Sequence, residues 1–292
     1  MLRSILKAVR PHQWVKNVFV AAPLLFAKRI DDLPSDLRAA GAVAAFCLLS
    51  SAVYLLNDLV DLEKDRAHPI KRNRPIASGA LKPEVARVLA ALFAVGALVG
   101  ALALGWSFAV TASGYLVLNV AYSLRLKRIA FVDVACISLG FLLRVLAGAF
   151  ALGVPASRWL LVCTLLLSSL LGFGKRLHEL RISGDGGHKH REVLGDYDAD
   201  VLRILLWVLG VATTIAYLVY TRTQRTNELF GGGQLVFTVP FAAFGIYRFI
   251  RIVNRTDKAD SPTDSMLRDP AFVVNLVLYA IAVVVIIWHF AP

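Results

Sequence analysis

Long apolar segments separated by short polar ones dominate the pattern of this chain. Segments such as 85–104 and 271–291 are almost wholly apolar over the ~20 residues that a helix needs to cross the hydrocarbon core of a bilayer. The pattern predicts an all-α integral membrane protein, one domain over residues 1–292, with about nine transmembrane helices. The predicted spans lie near residues 17–30, 39–57, 84–104, 106–124, 129–152, 156–174, 200–221, 233–250 and 271–290.

Composition agrees with this pattern, since 58% of the 292 residues are hydrophobic and the mean hydropathy is +0.65. A compact soluble fold of this length could not shield so many apolar runs from water. The three cysteines, Cys47, Cys136 and Cys163, each lie inside an apolar run and lack the paired spacing of a metal site. We expect them to be small buried side chains.

The net charge of +12 is distributed unevenly along the chain. Of the 32 Lys and Arg residues, 23 lie in five segments, namely 1–16, 58–83, 125–128, 175–199 and 248–270. Because cytoplasmic loops carry an excess of Lys and Arg, we expect a multi-pass protein of the inner membrane with a cytoplasmic N-terminus and an external C-terminus. The basic residues follow topology and no soluble domain carries them, which excludes nucleic acid as a partner.

Carboxylates cluster where the second predicted span ends, in the pattern NDxxDxxxD. Asn57, Asp61 and Asp65 are four residues apart, and Asp58 is three residues before Asp61. If the helix continues past the membrane, these side chains form one acidic stripe. Magnesium favours one or two carboxylates together with water and phosphate oxygens. The stripe therefore predicts a Mg²⁺ site for a diphosphate substrate.

Basic residues follow the acidic stripe directly. Lys71, Arg72 and Arg74 precede the turn residues Pro75 and Gly79. Arginine makes fork-like contacts to phosphate oxygens, so this cluster is suited to an anion that a metal bridges.

These motifs resemble the UbiA superfamily of intramembrane prenyltransferases. The resemblance rests on NDxxDxxxD followed by KRNRP, and on Tyr122-Ser123 with Lys127-Arg128 in the second polar loop. It implies helices arranged around a central lipid-accessible cavity, with loops that cap the cytoplasmic side.

The polar segment after the sixth span departs from the usual prenyltransferase pattern. It carries Lys175, Arg176 and Glu179 as KRxxEL, then Arg191 and Tyr197 as RxVLxxY. Together with the N-terminal run from Arg10 to Asn17, this resembles the branch of polyprenyl-phosphate phosphoribosyltransferases. The resemblance implies transfer of 5-phosphoribose from phosphoribosyl pyrophosphate to a polyprenyl (decaprenyl) phosphate.

The sequence pattern and the family resemblance together predict the functional residues. Asp58, Asp61 and Lys16 are the expected catalytic residues, and Asn57 and Asp65 are further candidate metal ligands. The expected substrate-binding residues are Lys16, Asn17, Lys71, Arg72, Arg74, Tyr122, Lys127, Arg128, Asp133, Lys175, Arg176, Glu179, Arg191 and Tyr197. Which of these basic residues holds which phosphate stays open.

Several alternatives stay open from the sequence. Arg144 lies deep in a span and should have a partner, either as a structural residue or in a lipid channel. Asp196 and Asp200 are spaced for a second metal site or for the start of a helix. The rival activity is prenyl transfer from a polyprenyl diphosphate to an aromatic or other small acceptor. A membrane transporter or lipid-binding scaffold is the alternative of another class, and a homo-oligomer is left open.

Overall fold

The computed structural model describes residues 1–30, 32–183, 192–230, 232–255 and 262–289, and all regular structure within these ranges is helical. Short 3₁₀ segments connect several of the helices. The helices are α1 (Leu2–Val9), α2 (Val18–Phe26), α3 (Leu33–Val60), α4 (Leu62–Ala67), α5 (Pro83–Leu104), α6 (Trp106–Leu124), α7 (Val132–Leu152), α8 (Arg158–Ser183), α9 (Ala199–Arg222), α10 (Gln224–Phe230), α11 (Val239–Arg255), α12 (Pro262–Arg268) and α13 (Pro270–His289).

Seven helical segments within the described residues are long and apolar enough to cross a membrane, so a multi-span membrane protein is confirmed and the count of nine is not. The first predicted span is α2, which has only nine residues with Pro23 inside it. At 1.5 Å per residue it reaches about 14 Å, which is less than half of a hydrocarbon core. The last predicted span is α13, whose apolar stretch Pro270–Ile286 is shorter than the others.

Helix α8 is longer than its pattern predicts. The predicted span ends at residue 174, whereas the helix continues to Ser183. Its 26 residues extend about 39 Å, compared with about 30 Å for the hydrocarbon core. The expectation that the polar segment after the sixth predicted span is a connection between helices is therefore wrong for Lys175, Arg176 and Glu179, which lie on α8 itself.

The chain divides into two compact units. Unit 1 comprises Met1–Lys127 and Leu139–Ala156, and unit 2 comprises Arg128–Ser138 and Ser157–Pro292. Helix α7 begins in unit 2 and continues in unit 1. The prediction of a single domain stays a prediction.

In unit 1, helix α3 packs against α2, α5 and α6. Its buried side chains include Phe46 and Leu49, which join Phe108 and Tyr115 of α6 in one apolar cluster. Gly148 of α7 lies so close to α2 that a Cβ atom there would stand 1.8 Å from the carbonyl oxygen of Val20. Small residues permit such close approach of membrane helices.

A second apolar cluster of unit 1 holds the N-terminal helix. Ala8 and Val9 of α1 are buried against Leu55 of α3 and against Ile76 and Leu81 of the segment before α5. This packing brings the chain that follows Val9 to the end of α3 where the carboxylates lie.

Unit 2 is built around α8, α9 and α11, whose buried side chains include Leu177, Leu206 and Ile250. Helix α9 begins at a side-chain cap, because Asp198 accepts hydrogen bonds from the backbone N–H groups of Asp200 and Val201 at 2.8 and 2.9 Å. Such a cap satisfies donors that the first turn leaves free.

Candidate functional site

The acidic residues of unit 1 lie on an almost continuous helix. Helix α3 ends at Val60 and α4 begins at Leu62, with Asp61 as the residue between them. Asp61 and Asp65 donate backbone hydrogen bonds to the carbonyl groups four residues earlier, at 3.0 and 2.8 Å. The helix therefore continues beyond residue 57, where the second predicted span ends, to Ala67, with one irregular residue.

Asp58 and Asp65, two helical turns apart, share one arginine. Nη1 of Arg74 lies 3.1 Å from Oδ1 of Asp58 and 2.6 Å from Oδ2 of Asp65. Arg10 adds a second cation, with Nη2 2.6 Å from Oδ1 of Asp58. Both carboxylates are buried, so their charge is stabilised by these contacts rather than by water.

Asn57 and Asp61, one turn apart, share a lysine. Nζ of Lys127 donates to both carboxylate oxygens of Asp61, at 2.7 and 2.6 Å, and to Oδ1 of Asn57 at 3.2 Å. The acidic stripe predicted from the sequence is therefore divided into two pairs, because basic side chains from distant segments lie between its members. Within the described residues, no group of three or more His, Cys, Asp and Glu side chains is arranged to hold a metal ion.

The side chains nevertheless have the chemistry of a magnesium site. Three oxygens of Asn57 and Asp61 converge on a single cationic nitrogen, that of Lys127. Oxygen ligands of carboxylate and amide type are the ones that hard divalent cations prefer. The three oxygen atoms around Lys127 Nζ are therefore suited to bind a divalent cation.

Arg10 belongs to this site, although the sequence predicted it only as part of the N-terminal motif and not as a site residue. Its backbone is in the left-handed region, with φ of 53°, which is uncommon for a residue other than glycine. Its guanidinium lies over the ring of Tyr54, 5.1 Å from the centroid, and reaches Asp58. The available signal was Pro11, which is favoured in the first turn of a helix and so marks a change of backbone direction at the preceding residue.

The other substrate-binding candidates of unit 1 lie close to these residues in the sequence. Lys16 is exposed on the 3₁₀ segment Pro11–Asn17, and Arg72 is exposed on the 3₁₀ segment Lys71–Asn73. Lys71 and Tyr122 are half-buried. These positions keep Lys16, Lys71, Arg72 and Tyr122 as candidates for substrate contact.

Asn17 lies in a buried network rather than at a surface. Arg144 donates from Nε to Oδ1 of Asn17 at 3.0 Å and from Nη2 to the hydroxyl of Tyr115 at 2.8 Å. Nδ2 of Asn17 donates to Oγ of Ser50 at 3.1 Å. The expectation that Arg144 has an interior partner is confirmed. Because both ends of the Asn17 amide are bonded inside the protein, its geometry favours a structural role over contact with substrate.

A second polar cluster, in unit 2, joins the start of α7 to both motifs that follow the sixth predicted span. Asp133 lies at its centre, with Oδ2 2.7 Å from Nε of Arg176 and Oδ1 accepting a hydrogen bond from the hydroxyl of Tyr197 at 2.6 Å. Arg176 also pairs with Glu179 one turn later. Burial raises the pKa of the Tyr197 hydroxyl, and its hydrogen bond to Asp133 raises the pKa further. Tyr197 is therefore a neutral donor at physiological pH.

This cluster changes the role expected for Arg176. The side chain is 1% exposed and its guanidinium faces Asp133, which is fully buried. A contact with substrate phosphate was predicted, but the geometry favours an internal ion pair. Lys175 and Arg128, by contrast, are exposed cations of unit 2. Arg191 lies outside the described residues.

Two carboxylates near the start of α9 make contacts within that helix. Asp198 caps it, and Asp200 forms an exposed ion pair with Arg203 at 2.6 Å. Asp200 therefore lies in the first turn of α9, whereas Asp196 is exposed at the end of the 3₁₀ segment Glu192–Asp196. Among the described residues, neither belongs to a group of three or more His, Cys, Asp and Glu side chains arranged to hold a metal ion.

Curated relatives cover most of the chain. It is 38% identical over 234 residues to the decaprenyl-phosphate phosphoribosyltransferase of Mycolicibacterium smegmatis, with 78% of this chain and 74% of that protein covered. It is 34% identical to the Mycobacterium tuberculosis protein of the same name, over 92% and 89% of the two chains. The Corynebacterium glutamicum protein of that name is 33% identical, over 98% and 87%.

Solved structures share the fold. The structure of a UbiA homologue from Archaeoglobus fulgidus bound to DMAPP and Mg²⁺ superposes with a TM-score of 0.69 at 17% identity, covering 98% of this chain and 99% of that one. The same homologue bound to GPP and Mg²⁺ has a TM-score of 0.70. The sequence profile described as "UbiA prenyltransferase family" matches residues 18–181, more than half of the chain. The resemblance read from the motifs is confirmed, and the chain belongs to the UbiA prenyltransferase family.

Proposed function

We propose that this protein transfers 5-phosphoribose from phosphoribosyl pyrophosphate to a polyprenyl phosphate, decaprenyl phosphate in the first instance, with release of pyrophosphate. The observation that carries the proposal is the identity of 33% to 38% with three decaprenyl-phosphate phosphoribosyltransferases, two of which match over 92% and 98% of the chain. The excess of Lys and Arg in the segments around the acidic residues supports a site at the cytoplasmic face.

Mg²⁺ is the divalent ion that we assign to the acidic residues of unit 1. Asp61 and Asn57 would hold it at the position where their oxygens now converge on Lys127, with Asp58 and Asp65 nearby on the same helix end. When bound, the metal supplies positive charge that neutralises the pyrophosphate leaving group. The fold relatives that were solved with Mg²⁺ support this choice.

The reaction is a substitution at the anomeric carbon of the ribose. An oxygen of the lipid phosphate forms a bond to that carbon, and the bond to the pyrophosphate oxygen breaks, with its electron pair leaving on pyrophosphate. Because the attacking phosphate oxygen is already ionised at neutral pH, the protein needs no general base. We assign Lys16, Arg72 and Arg74 to the charge that develops on the leaving group, since Lys16 and Arg72 are exposed cations and Arg74 already contacts Asp58 and Asp65.

Substrates with three phosphate-bearing positions require further cations. The donor carries a 5-phosphate besides its pyrophosphate, and the acceptor carries a phosphate of its own. Lys71 is the remaining basic side chain of unit 1 that we assign to these groups. For Arg128 and Lys175 of unit 2, phosphate binding is the role that their sequence motifs predict. Arg176 and Asn17 act inside the protein.

Purified protein in nanodiscs tests the activity. One reaction contains radiolabelled phosphoribosyl pyrophosphate and decaprenyl phosphate, and another contains polyprenyl diphosphate and 4-hydroxybenzoate. We expect labelled lipid in the first reaction only, lost with EDTA and restored by Mg²⁺. Prenylated product in the second reaction alone would instead assign the protein to prenyl transfer. Full turnover in EDTA would exclude a role for a divalent metal in the reaction.

A further inference from the structure

We propose that Arg10, Arg74 and Lys127 are exchangeable counter-ions, which hold the acidic residues before metal binds and then turn to the pyrophosphate as metal and donor bind together. The inference rests on the proposed function for the identity of the donor. The exchange of partners between carboxylates, basic side chains, metal and pyrophosphate would be the same for any diphosphate substrate.

The charges of the site balance without a metal ion. Three carboxylates, those of Asp58, Asp61 and Asp65, lie within 3.1 Å of cationic nitrogens on three basic side chains. A divalent cation that arrived alone would have to displace at least one of these cations while remaining beside it. Because like charges repel at such short range, metal binding without an anion is unfavourable.

A pyrophosphate group removes this obstacle. Its oxygens accept the same charge-assisted hydrogen bonds that the carboxylates now accept, and the guanidinium fork matches phosphate geometry in particular. Once the basic side chains turn to phosphate, the carboxylate oxygens are available to the metal. Each ligand then raises the affinity of the site for the other by the same factor.

At Asp58 and Asp65, the exposure of the two kinds of side chain indicates which of them moves. The carboxylates of Asp58 and Asp65 are 2% and 4% exposed, whereas the side chains of Arg10 and Arg74 are 22% and 27% exposed. At the third pair, Lys127 is 14% and Asp61 20% exposed, so there only the greater length of the lysine side chain favours its movement. The carboxylates are held by the helix end on which they lie. The longer basic side chains reach solvent and can turn towards an incoming anion without a change in the helices.

The first test measures metal binding without any phosphate. Free Mn²⁺ is followed by EPR during titration of the wild-type protein, Lys127→Gln and Arg66→Gln in a neutral detergent. Arg66→Gln is the matched control because it removes the same charge from α4, where Arg66 pairs with exposed Glu63 at 2.8 Å. We expect Lys127→Gln to bind Mn²⁺ at least about tenfold more tightly than wild type, and Arg66→Gln to stay within about twofold. Equal or weaker binding by Lys127→Gln overturns the proposal.

The second test uses the wild-type protein and therefore does not depend on the folding of a variant. Retention of radiolabelled pyrophosphate is measured by equilibrium dialysis in Mg²⁺ and in EDTA. We expect Mg²⁺ to strengthen pyrophosphate binding at least about tenfold. Binding of the same strength in both solutions overturns the coupling.

Neither test contains a ribose donor or a lipid acceptor. A protein that shows the expected metal and pyrophosphate binding but transfers no phosphoribose would refute the proposed function and leave the counter-ion role in place. A phosphoribosyltransferase that binds Mn²⁺ as tightly with Lys127 as without it would refute the counter-ion role alone.

Discussion

Lys127 donates hydrogen bonds to both carboxylate oxygens of Asp61, across 66 positions of the chain. One residue belongs to the motif after α6 and the other to the motif after α3. Sequence reasoning assigned the lysine to phosphate and the carboxylate to metal, as two separate tasks. Their direct contact means that neither can engage a ligand without affecting the other.

The Asp61→Asn substitution should reduce kcat/KM by roughly 10²-fold or more, because an amide cannot balance the charge of a metal ion as a carboxylate does. Turnover is measured at saturating Mg²⁺. Glu63→Gln is the control, since Glu63 is an exposed carboxylate two residues away that pairs with Arg66. Wild-type turnover in Asp61→Asn would show that the carboxylate is structural.

The Arg176→Met substitution should destabilise the protein, because it leaves the fully buried carboxylate of Asp133 without its cation. Breaking one side of a buried ion pair typically costs about 3–5 kcal/mol. The variant should have a lower Tm in detergent, and adding Asp133→Asn should recover part of the loss. An unchanged Tm with weakened donor binding would instead indicate that Arg176 contacts the substrate.

Tyr197→Phe should have a milder effect than Arg176→Met. It removes two hydrogen bonds, the one that the hydroxyl donates to Asp133 and the one that it accepts from the backbone N–H of Phe131, and a typical bond contributes about 0.5–1.5 kcal/mol. The two variants are compared by Tm under identical conditions. A larger loss for Tyr197→Phe would contradict the assignment of Arg176 as the main partner of Asp133.

Gly148→Ala should prevent the close packing of α7 on α2, since the new Cβ would lie 1.8 Å from the carbonyl oxygen of Val20. Gly96→Ala and Gly100→Ala, on α5, are matched controls because nothing lies within 4 Å of either position. Size-exclusion profiles and Tm should show loss of folded protein for Gly148→Ala alone. A wild-type profile for that variant would mean that α2 packs elsewhere.

Asp269 should make stability depend on acidic pH. Its hydrogen bonds from Arg248, at 2.9 and 2.7 Å, hold the pKa of the carboxyl below its usual value. The stabilisation is therefore fully present above the unfolded-state pKa of about 4 and is lost as pH falls through the lower folded-state pKa. The Tm of Asp269→Asn should be below that of wild type at pH 7, and the gap should narrow below about pH 4. A gap that stays constant with pH would exclude this ion pair as its source.

The orientation predicted from Lys and Arg can be read with reporter fusions. A cytoplasmic reporter after Lys64 and a periplasmic reporter after Glu228 should each be active, because the basic segments favour the cytoplasm. Reversed activities would place the acidic residues on the external face and would contradict the proposed access to a cytoplasmic donor.

Properties of consecutive residues determined much of this protein from sequence alone. The apolar runs predicted most of the membrane-spanning helices, and the spacing of Asn57, Asp58, Asp61 and Asp65 placed four oxygen-bearing side chains on one helix end. Both inferences depend only on the 3.6-residue period of a helix and on the thickness of a bilayer. The motifs likewise indicated the family.

Tertiary packing decided which charges meet. Arg10 and Asp58 are 48 positions apart in the sequence. Arg10 reaches Asp58 because Ala8 and Val9 pack into the apolar cluster around Leu55. Arg176 turns inward because Asp133 lies in the first turn of α7, which belongs to the same unit as Arg176. A basic residue in a polar motif has the same local sequence whether it faces substrate or a buried carboxylate. Only the packing of distant segments, which sets the partner within hydrogen-bond reach, distinguishes the two roles.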